Sequence, residues 1–306
     1  MKLNRREFSG LALSGAALPR AAFAEGLTPE KAQRAAMFGT SSEFREAMSY
    51  IETRGDLDMT AGLLLSLRFS RARAVRIGAT LETLTGQNHG TDWFDWMLWQ
   101  EANPQIVPHE SYPALALEMY LSIDSNFAQF LRPEHIVRER ARIRLEEVTW
   151  GGVLKDGIPS LDNPDLIPAG AAEYLRSDDL VFGVAITGDA RAYPLRIMGW
   201  HEMFNAVIGG VPSPFEKVVA CHSDPFVFGS SGFLYRSNKL MFDRGTDSLW
   251  NQYTGEPVIG PLANSGIILK QRPVVITTWE KWKASNPSTM VLSLNTGHRR
   301  NYGSGV

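Results

Sequence analysis

Hydrophobic periodicity changes once along this chain, near residue 148, and that switch constrains the fold more than any other feature. From about Leu27 to Glu147, apolar residues recur three and four apart through 44–51, 57–67, 74–84 and 114–131. Such spacing puts them on one face of an α-helix. Thr28-Pro29-Glu30 and Arg132-Pro133-Glu134 predict helix starts with proline in the first turn, and the basic run Arg138 to Arg144 predicts a solvated helix face. Gly55, Gly86-Gln87-Asn88 and Asn103-Pro104 predict the breaks. Trp93, Trp96 and Trp99 lie three apart, so they share a broad helix face and are expected in a core.

Beyond about Trp150 the texture is that of short strands. Apolar runs at 181–186 and 190–195 flank Thr187-Gly188-Asp189 and predict a hairpin; runs at 233–235 and 240–242 flank Arg236-Ser237-Asn238-Lys239 and predict another. Further strands are expected at 217–221, 226–229 and 290–294. One short helix is expected over 198–208, stopped by Gly209-Gly210, and a second over 279–284, ended by Asn286-Pro287. The fold class is therefore α+β. An all-helical domain, a bundle or HEAT-like pairs, is expected at 25–147, and a mainly antiparallel β domain with two short helices at 148–306.

The first 24 residues read as an export signal of the twin-arginine (Tat) type. Arg5-Arg6 precedes a mildly apolar run, and Ala22-Phe23-Ala24 is a small-x-small cleavage site ending at Ala24. The run is too short and too rich in Gly, Ala and Ser to span a bilayer. The expectation is delivery by the Tat translocase to the periplasm, without a membrane span after processing. The formal net charge is −2; removal of Lys2, Arg5, Arg6, Arg20 and Glu7 takes it to −5. A mildly acidic surface argues against nucleic-acid binding, which needs a basic face. A periplasmic protein partner is expected to use the helical domain.

The chain has a single cysteine, Cys221, so no disulfide forms within it. A lone thiol is a small buried hydrophobe, a metal or substrate ligand, or a handle for another molecule. His222 follows directly, and a thiol beside an imidazole suits copper or zinc. His201-Glu202 lies on the helix expected at 198–208, which places Asn205 on the same face. A zinc hydrolase would carry a second histidine where Asn205 stands. Asp243-Arg244 adds a candidate acid/base pair. The candidate catalytic residues are thus His201, Glu202, Cys221, Asp243 and Arg244, and the candidate metal ligands His201, Cys221 and His222. We expect His201, Glu202, Cys221 and the Asp243-Arg244 pair to converge on one cleft. Gly229-Ser230-Ser231-Gly232 lacks the spacing of a hydrolase nucleophile elbow.

A series of motifs from about 146 to 306 carries a resemblance. Trp150-Gly151-Gly152-Val153, Asp156-Gly157-Ile158-Pro159, Ala190-Arg191-Ala192-Tyr193-Pro194, Trp200-His201-Glu202, Met241-Phe242-Asp243-Arg244, Ser248-Leu249-Trp250-Asn251-Gln252 and Arg300-Asn301-Tyr302-Gly303 follow in order. This region resembles the bacterial domain of unknown function family 3179. The resemblance implies a domain type and no established activity. Similar members carry two cysteines where this chain has Cys221-His222-Ser223-Asp224, so two-thiol chemistry is not expected here. The reading from sequence is an exported periplasmic ligand-binding or scaffold protein with a diverged site. The alternative is a metal- or thiol-dependent enzyme or metal-binding protein centred on His201, Glu202, Cys221 and His222.

Overall fold

The computed structural model describes residues 26–216, 219–222 and 226–303, with backbone alone at 215–216 and 219–222. The expected signal, with Arg5, Arg6 and Ala24, lies outside the described residues.

Among the described residues six α-helices come first: α1 (Pro29–Phe38), α2 (Ser41–Arg54), α3 (Thr60–Phe69), α4 (Ala74–Thr85), α5 (Trp93–Ala102) and α6 (Tyr112–Leu121). Local chemistry sets their ends. The Thr28 side chain accepts from Lys31 N at the start of α1, and Thr40 with Glu43 forms a reciprocal capping box on α2. Gly55 and Gly86 close α2 and α4 in the left-handed conformation. Ala36, Met48, Ile51, Leu63, Leu64, Ile77 and Trp96 form a core made by the helices alone. Trp96 is fully buried, while Trp93 and Trp99 pack against the edge of that core.

The helix expected from Arg132-Pro133-Glu134 does not form, and neither does the basic helix face at Arg138 to Arg144. Residues 132–144 run as turns and bends. Tertiary contacts override the local pattern. Ile136 is buried beneath a β-sheet, Arg142 N donates to Val258 O, and Asn264 Nδ2 donates to Arg140 O.

The strands follow in chain order. They begin with β1 (Val148–Trp150), β2 (Leu161–Asp162), β3 (Leu166–Pro168), β4 (Leu180–Ile186) and β5 (Asp189–Pro194). Helix α7 (Leu195–His201) leads into β6 (Met203–Ile208), β7 (Val211–Glu216) and β8 (Val219–His222). Then come β9 (Phe228–Tyr235), β10 (Asn238–Asp243), β11 (Leu249–Asn251), β12 (Glu256–Ile259), β13 (Lys270–Arg272) and β14 (Val275–Thr278). Helix α8 (Trp279–Ser285) and β15 (Met290–Leu292) complete the series. Among the described residues three five-stranded sheets result, ordered β1-β9-β10-β11-β12, β13-β8-β7-β6-β2 and β14-β4-β5-β15-β3. Pairing is antiparallel except for β2 with β6 and β15 with β5. The fold class is α+β, as the periodicity predicts.

One expectation fails in an informative way. The helix predicted over 198–208 is only its first part, α7, and the chain then reverses into β6. Glu202 ends α7 at φ 57°, and β6 pairs with β7 along its full length. Gly209-Gly210, read as a helix stop, is a hairpin turn with φ 55° and 79°. Two consecutive positive φ values make the type I′ geometry that matches strand twist. Thr187-Gly188 and Arg236-Ser237 turn the β4–β5 and β9–β10 hairpins with the same sign pattern.

The sheet led by β1 has two different faces. Phe233, Leu240, Phe242 and Leu249 turn toward the helical half and share a core with Tyr120, Phe127 and Phe130. The Phe233 ring sits 4.6 Å from Phe127 and 5.0 Å from Tyr120. Phe228, Met241 and Trp250 turn the other way and pack with Met203 and Leu269 of the second sheet region. The passage from helix to strand at 147–148 is thus bridged by side chains packed across it.

Candidate functional site

His201, at the end of α7, is completely buried. Its Nδ1 lies 3.0 Å from Pro159 O and its Nε2 2.6 Å from Tyr302 Oη. A carbonyl only accepts, so Nδ1 carries the proton, and in the neutral ring Nε2 accepts from the Tyr302 hydroxyl. Tyr302 Oη also lies 2.6 Å from Thr296 Oγ1. Burial pushes the imidazole pKa down, with nearby His298 and Arg300 adding to that effect and the Pro159 bond opposing it. Burial and these two bonds favour the neutral ring. It clasps the loop before β2 on one side and the C-terminal segment on the other.

Asn205 is not on a helix face with His201. It sits in β6, where Nδ2 donates to Asp162 Oδ1 at 2.6 Å and to Phe228 O at 2.9 Å, while Oδ1 accepts from Phe228 N. Asp243 and Arg244 part company in the same way. Asp243 is fully buried and accepts from Gly245 N, Thr246 N, Thr246 Oγ1 and Trp250 Nε1 at 2.6–3.2 Å. Arg244 reaches outward instead, donating to both carboxylate oxygens of Asp156 at 2.9 and 3.1 Å. Both act here as structural fasteners.

Cys221 and His222 lie on β8, whose backbone pairs with β13: Cys221 stands opposite Gln271 and His222 opposite Lys270. Their side chains, like Ser223 and Asp224, fall outside the described residues. Among the described residues no three His, Cys, Asp or Glu side chains gather as metal ligands. His201, proposed as one such ligand, has both ring nitrogens engaged.

Glu202 follows His201 in the chain but serves a different place. Its φ of 57° is a conformation a side-chain-bearing residue holds at about 1–3 kcal/mol. That backbone carries its carboxylate to Lys239 Nζ, 3.3 Å away. The pair borders an open cleft of ≈ 310 Å³ on the face of the β1-led sheet that turns away from the helices. Val153, Ile158 and Leu234 supply apolar wall, and Tyr253, half exposed, stands at the rim. Ser230 and Gln252 also line it; they are 1 % and 9 % exposed. Neither Ser230 Oγ nor Gln252 Oε1 has a hydrogen-bond partner.

Sequence reasoning missed Ser230, Lys239, Gln252 and Tyr302 as site residues. Ser230 falls in Gly229-Ser230-Ser231-Gly232, whose spacing is not that of a nucleophile elbow. The available signal was its place in a strand: Phe228 and Ser230 are two apart, so the serine shares the face of a buried aromatic. Tyr302 belonged to a quoted motif, Arg300-Asn301-Tyr302-Gly303, but nothing in the sequence pairs it with His201.

The family model described as "Protein of unknown function (DUF3179)" matches residues 155–305. That span covers most of the strand-rich half and includes the clasp, the Arg244–Asp156 pair and most of the cleft. No curated protein and no solved structure matches the chain.

Proposed function

We propose that this chain is an exported periplasmic protein that binds a small ligand in the cleft beside Glu202 and Lys239, with no catalytic use of His201 or Asp243. One observation carries the reading. His201 and Asp243 are engaged in internal hydrogen bonds, whereas Ser230 Oγ and Gln252 Oε1 are buried and unpartnered in residues that line the cleft. A buried polar atom without a partner costs about 1–3 kcal/mol. A ligand whose entry opens the cleft wall to these atoms would supply the missing partners.

The helical half is the proposed scaffold surface. Phe94 and Leu98, four apart on α5, are 54 % and 47 % exposed and give a protein partner an apolar strip. Among the described residues no helix is long and apolar enough to cross a membrane.

Two experiments test the proposal. Replacing Arg5 and Arg6 together by lysine should leave the precursor in the cytoplasm; normal periplasmic delivery overturns the export assignment. Native mass spectrometry of protein taken gently from its own compartment should show a small adduct, and heating should release it. A bare chain under those conditions counts against ligand binding.

A further inference from the structure

An open sheet has two edges, and each edge strand offers unpaired N–H and C=O groups to any strand that meets it. Among the described residues the three sheets end on β1, β12, β13, β2, β14 and β3. Five of these edges are blunted. At β1 the helices take the carbonyls: Tyr120 Oη donates to Val148 O and Arg68 Nη2 to Trp150 O. In β12, Pro257 has no N–H to offer, Glu256 is ion-paired with Arg142, and Val258 O accepts from Arg142 N. β13 carries the cations Lys270 and Arg272. β2 is two residues long and ends on Asp162, and β3 is three residues long and ends on Pro168.

β14 has none of these protections. Its four residues, Val275-Ile276-Thr277-Thr278, include no charge and no proline. It pairs with β4 on one side, from Val275 opposite Gly183 to Thr278 opposite Leu180. Among the described residues no backbone hydrogen bond from another segment reaches 275–278. Both faces of this edge are apolar and open. Val275 shares the face of its partner Gly183, on which Trp282 packs, and Ile276 shares the opposite face with Phe182. Val275 and Ile276 are each about half exposed, because no strand lies beyond them to cover them.

We propose that β14 is the docking edge for a second copy of this chain. Two β14 strands pair antiparallel about a two-fold axis and join two five-stranded sheets into one. The sequence of the edge selects this occupant. A two-fold interface must be self-complementary. Centred on Ile276, the pair sets Ile276 against Ile276 and Val275 against Thr277, all β-branched side chains that pack well across strands. A charged edge such as β13 would meet its own charge in that arrangement, and like charges opposite each other repel. Antiparallel order also keeps the cationic 270–272 segments of the two copies at opposite ends of the pair. The contact uses up the edge left open in each copy, so assembly stops at two. Four residues per copy make a small interface, and the dimer is a weak one that concentration controls.

Sedimentation velocity on the full chain, from low to high micromolar concentration, reads the assembly, and hydrogen exchange reads the edge. Wild type should pass from monomer to dimer as concentration rises, and the amides of 275–278 should slow in step. Ile276→Lys sets two like charges against each other across the axis and should weaken the dimer about tenfold or more. The monomer's Tm should not change, because the side chain it replaces is half exposed. Ile276→Val keeps the β-branched contact and should keep the dimer. A wild type that stays monomeric at every concentration overturns the inference. So does a dimer that Ile276→Lys leaves intact, or growth beyond two copies. Dimer formation without slowed exchange at 275–278 overturns it as well, and that reading of the wild type stands whether or not the variant folds. A dimer lost in Leu98→Lys but kept in Ile276→Lys places the contact on α5, with the same consequence.

Discussion

Two buried polar regions of this molecule treat their polar groups in opposite ways. At the seam between helices and strands, Glu147 is fully buried and both its oxygens are taken, one by Arg236 Nε, the other by Arg144 and Arg236 Nη2. Arg144 Nη2, Gln100 Oε1 and Thr149 Oγ1 beside it are left without a partner. In the cleft beside Glu202, two neutral polar side chains are buried with their demands unmet. The seam is held by its polar groups; the cleft is destabilised by them. A protein keeps the first kind of burial for architecture. The second kind calls for an explanation at each site, a bound molecule being one.

The comparison breaks most readily at Glu147. Glu147→Ala leaves Arg236, 44 % exposed, without its carboxylate and Arg144 with Glu146 alone, and loss of one partner of a buried pair costs up to about 3–5 kcal/mol. Urea denaturation should show that loss, with a large fall in the midpoint. A change below about 1 kcal/mol would mean that the seam is not held electrostatically. Asp243 comes next. It accepts four hydrogen bonds in the β10–β11 connection, and Asp243→Ala should cost about 2–3 kcal/mol on the same measurement. Equal losses from Asp243→Ala and Ser230→Ala would erase the distinction between saturated and unsaturated sites.

The contrast also explains what could be seen in the sequence. Helix caps are local chemistry, so Thr28, Gly55 and Gly86 were legible as boundaries. The β4–β5 hairpin was legible because Thr187-Gly188 supplies positive φ between two apolar runs. Gly209-Gly210 was ambiguous, since a glycine pair ends a helix or turns a hairpin equally well. The β6–β7 pairing and the burial of Phe204 decide in favour of the strand. The turns at 132–144 were illegible because their partners, Val258 and Asn264, lie more than a hundred residues away. His201 was singled out for its type, but its partners Pro159 and Tyr302 arrive from distant segments. Whether a polar side chain is satisfied is a property of the folded neighbourhood. Saturation at Asp243 and its absence at Ser230 were therefore both invisible in one dimension.

His201 sharpens the comparison through pH. Its folded-state pKa lies below the ordinary imidazole value of 6.5, chiefly because of burial. The unfolded chain therefore takes up a proton that the folded chain resists. The stability tied to the neutral ring is complete above about pH 6.5 and is lost as pH falls through the folded value. Stability measured from about pH 7 down to about pH 5 should decline less steeply in His201→Phe than in wild type. Identical slopes would show that the ring accepts its proton without loss, and that the clasp does not depend on Tyr302 donating to Nε2.

The smallest effect is expected at Arg244, where the same saturated pairing reaches the surface. Its side chain is 36 % exposed and that of Asp156 30 %, so water screens the pair on one side. Exposed pairs contribute about 0.2–1 kcal/mol, and the two-pronged geometry favours the upper part of that range. Lysine keeps the charge but presents one donor group in place of the planar fork, and it gives up the guanidinium's place 5.3 Å from the Phe242 ring. Arg244→Lys should therefore cost under about 1 kcal/mol, and the loss should shrink further at high salt. Asp156 also anchors the loop by donating its N–H to Ser230 O, a backbone bond the substitution leaves untouched. If Arg244→Lys instead destabilises as much as Glu147→Ala, the Asp156 loop depends on its surface pair. Exposure would then no longer separate the weak polar contacts of this fold from the strong ones.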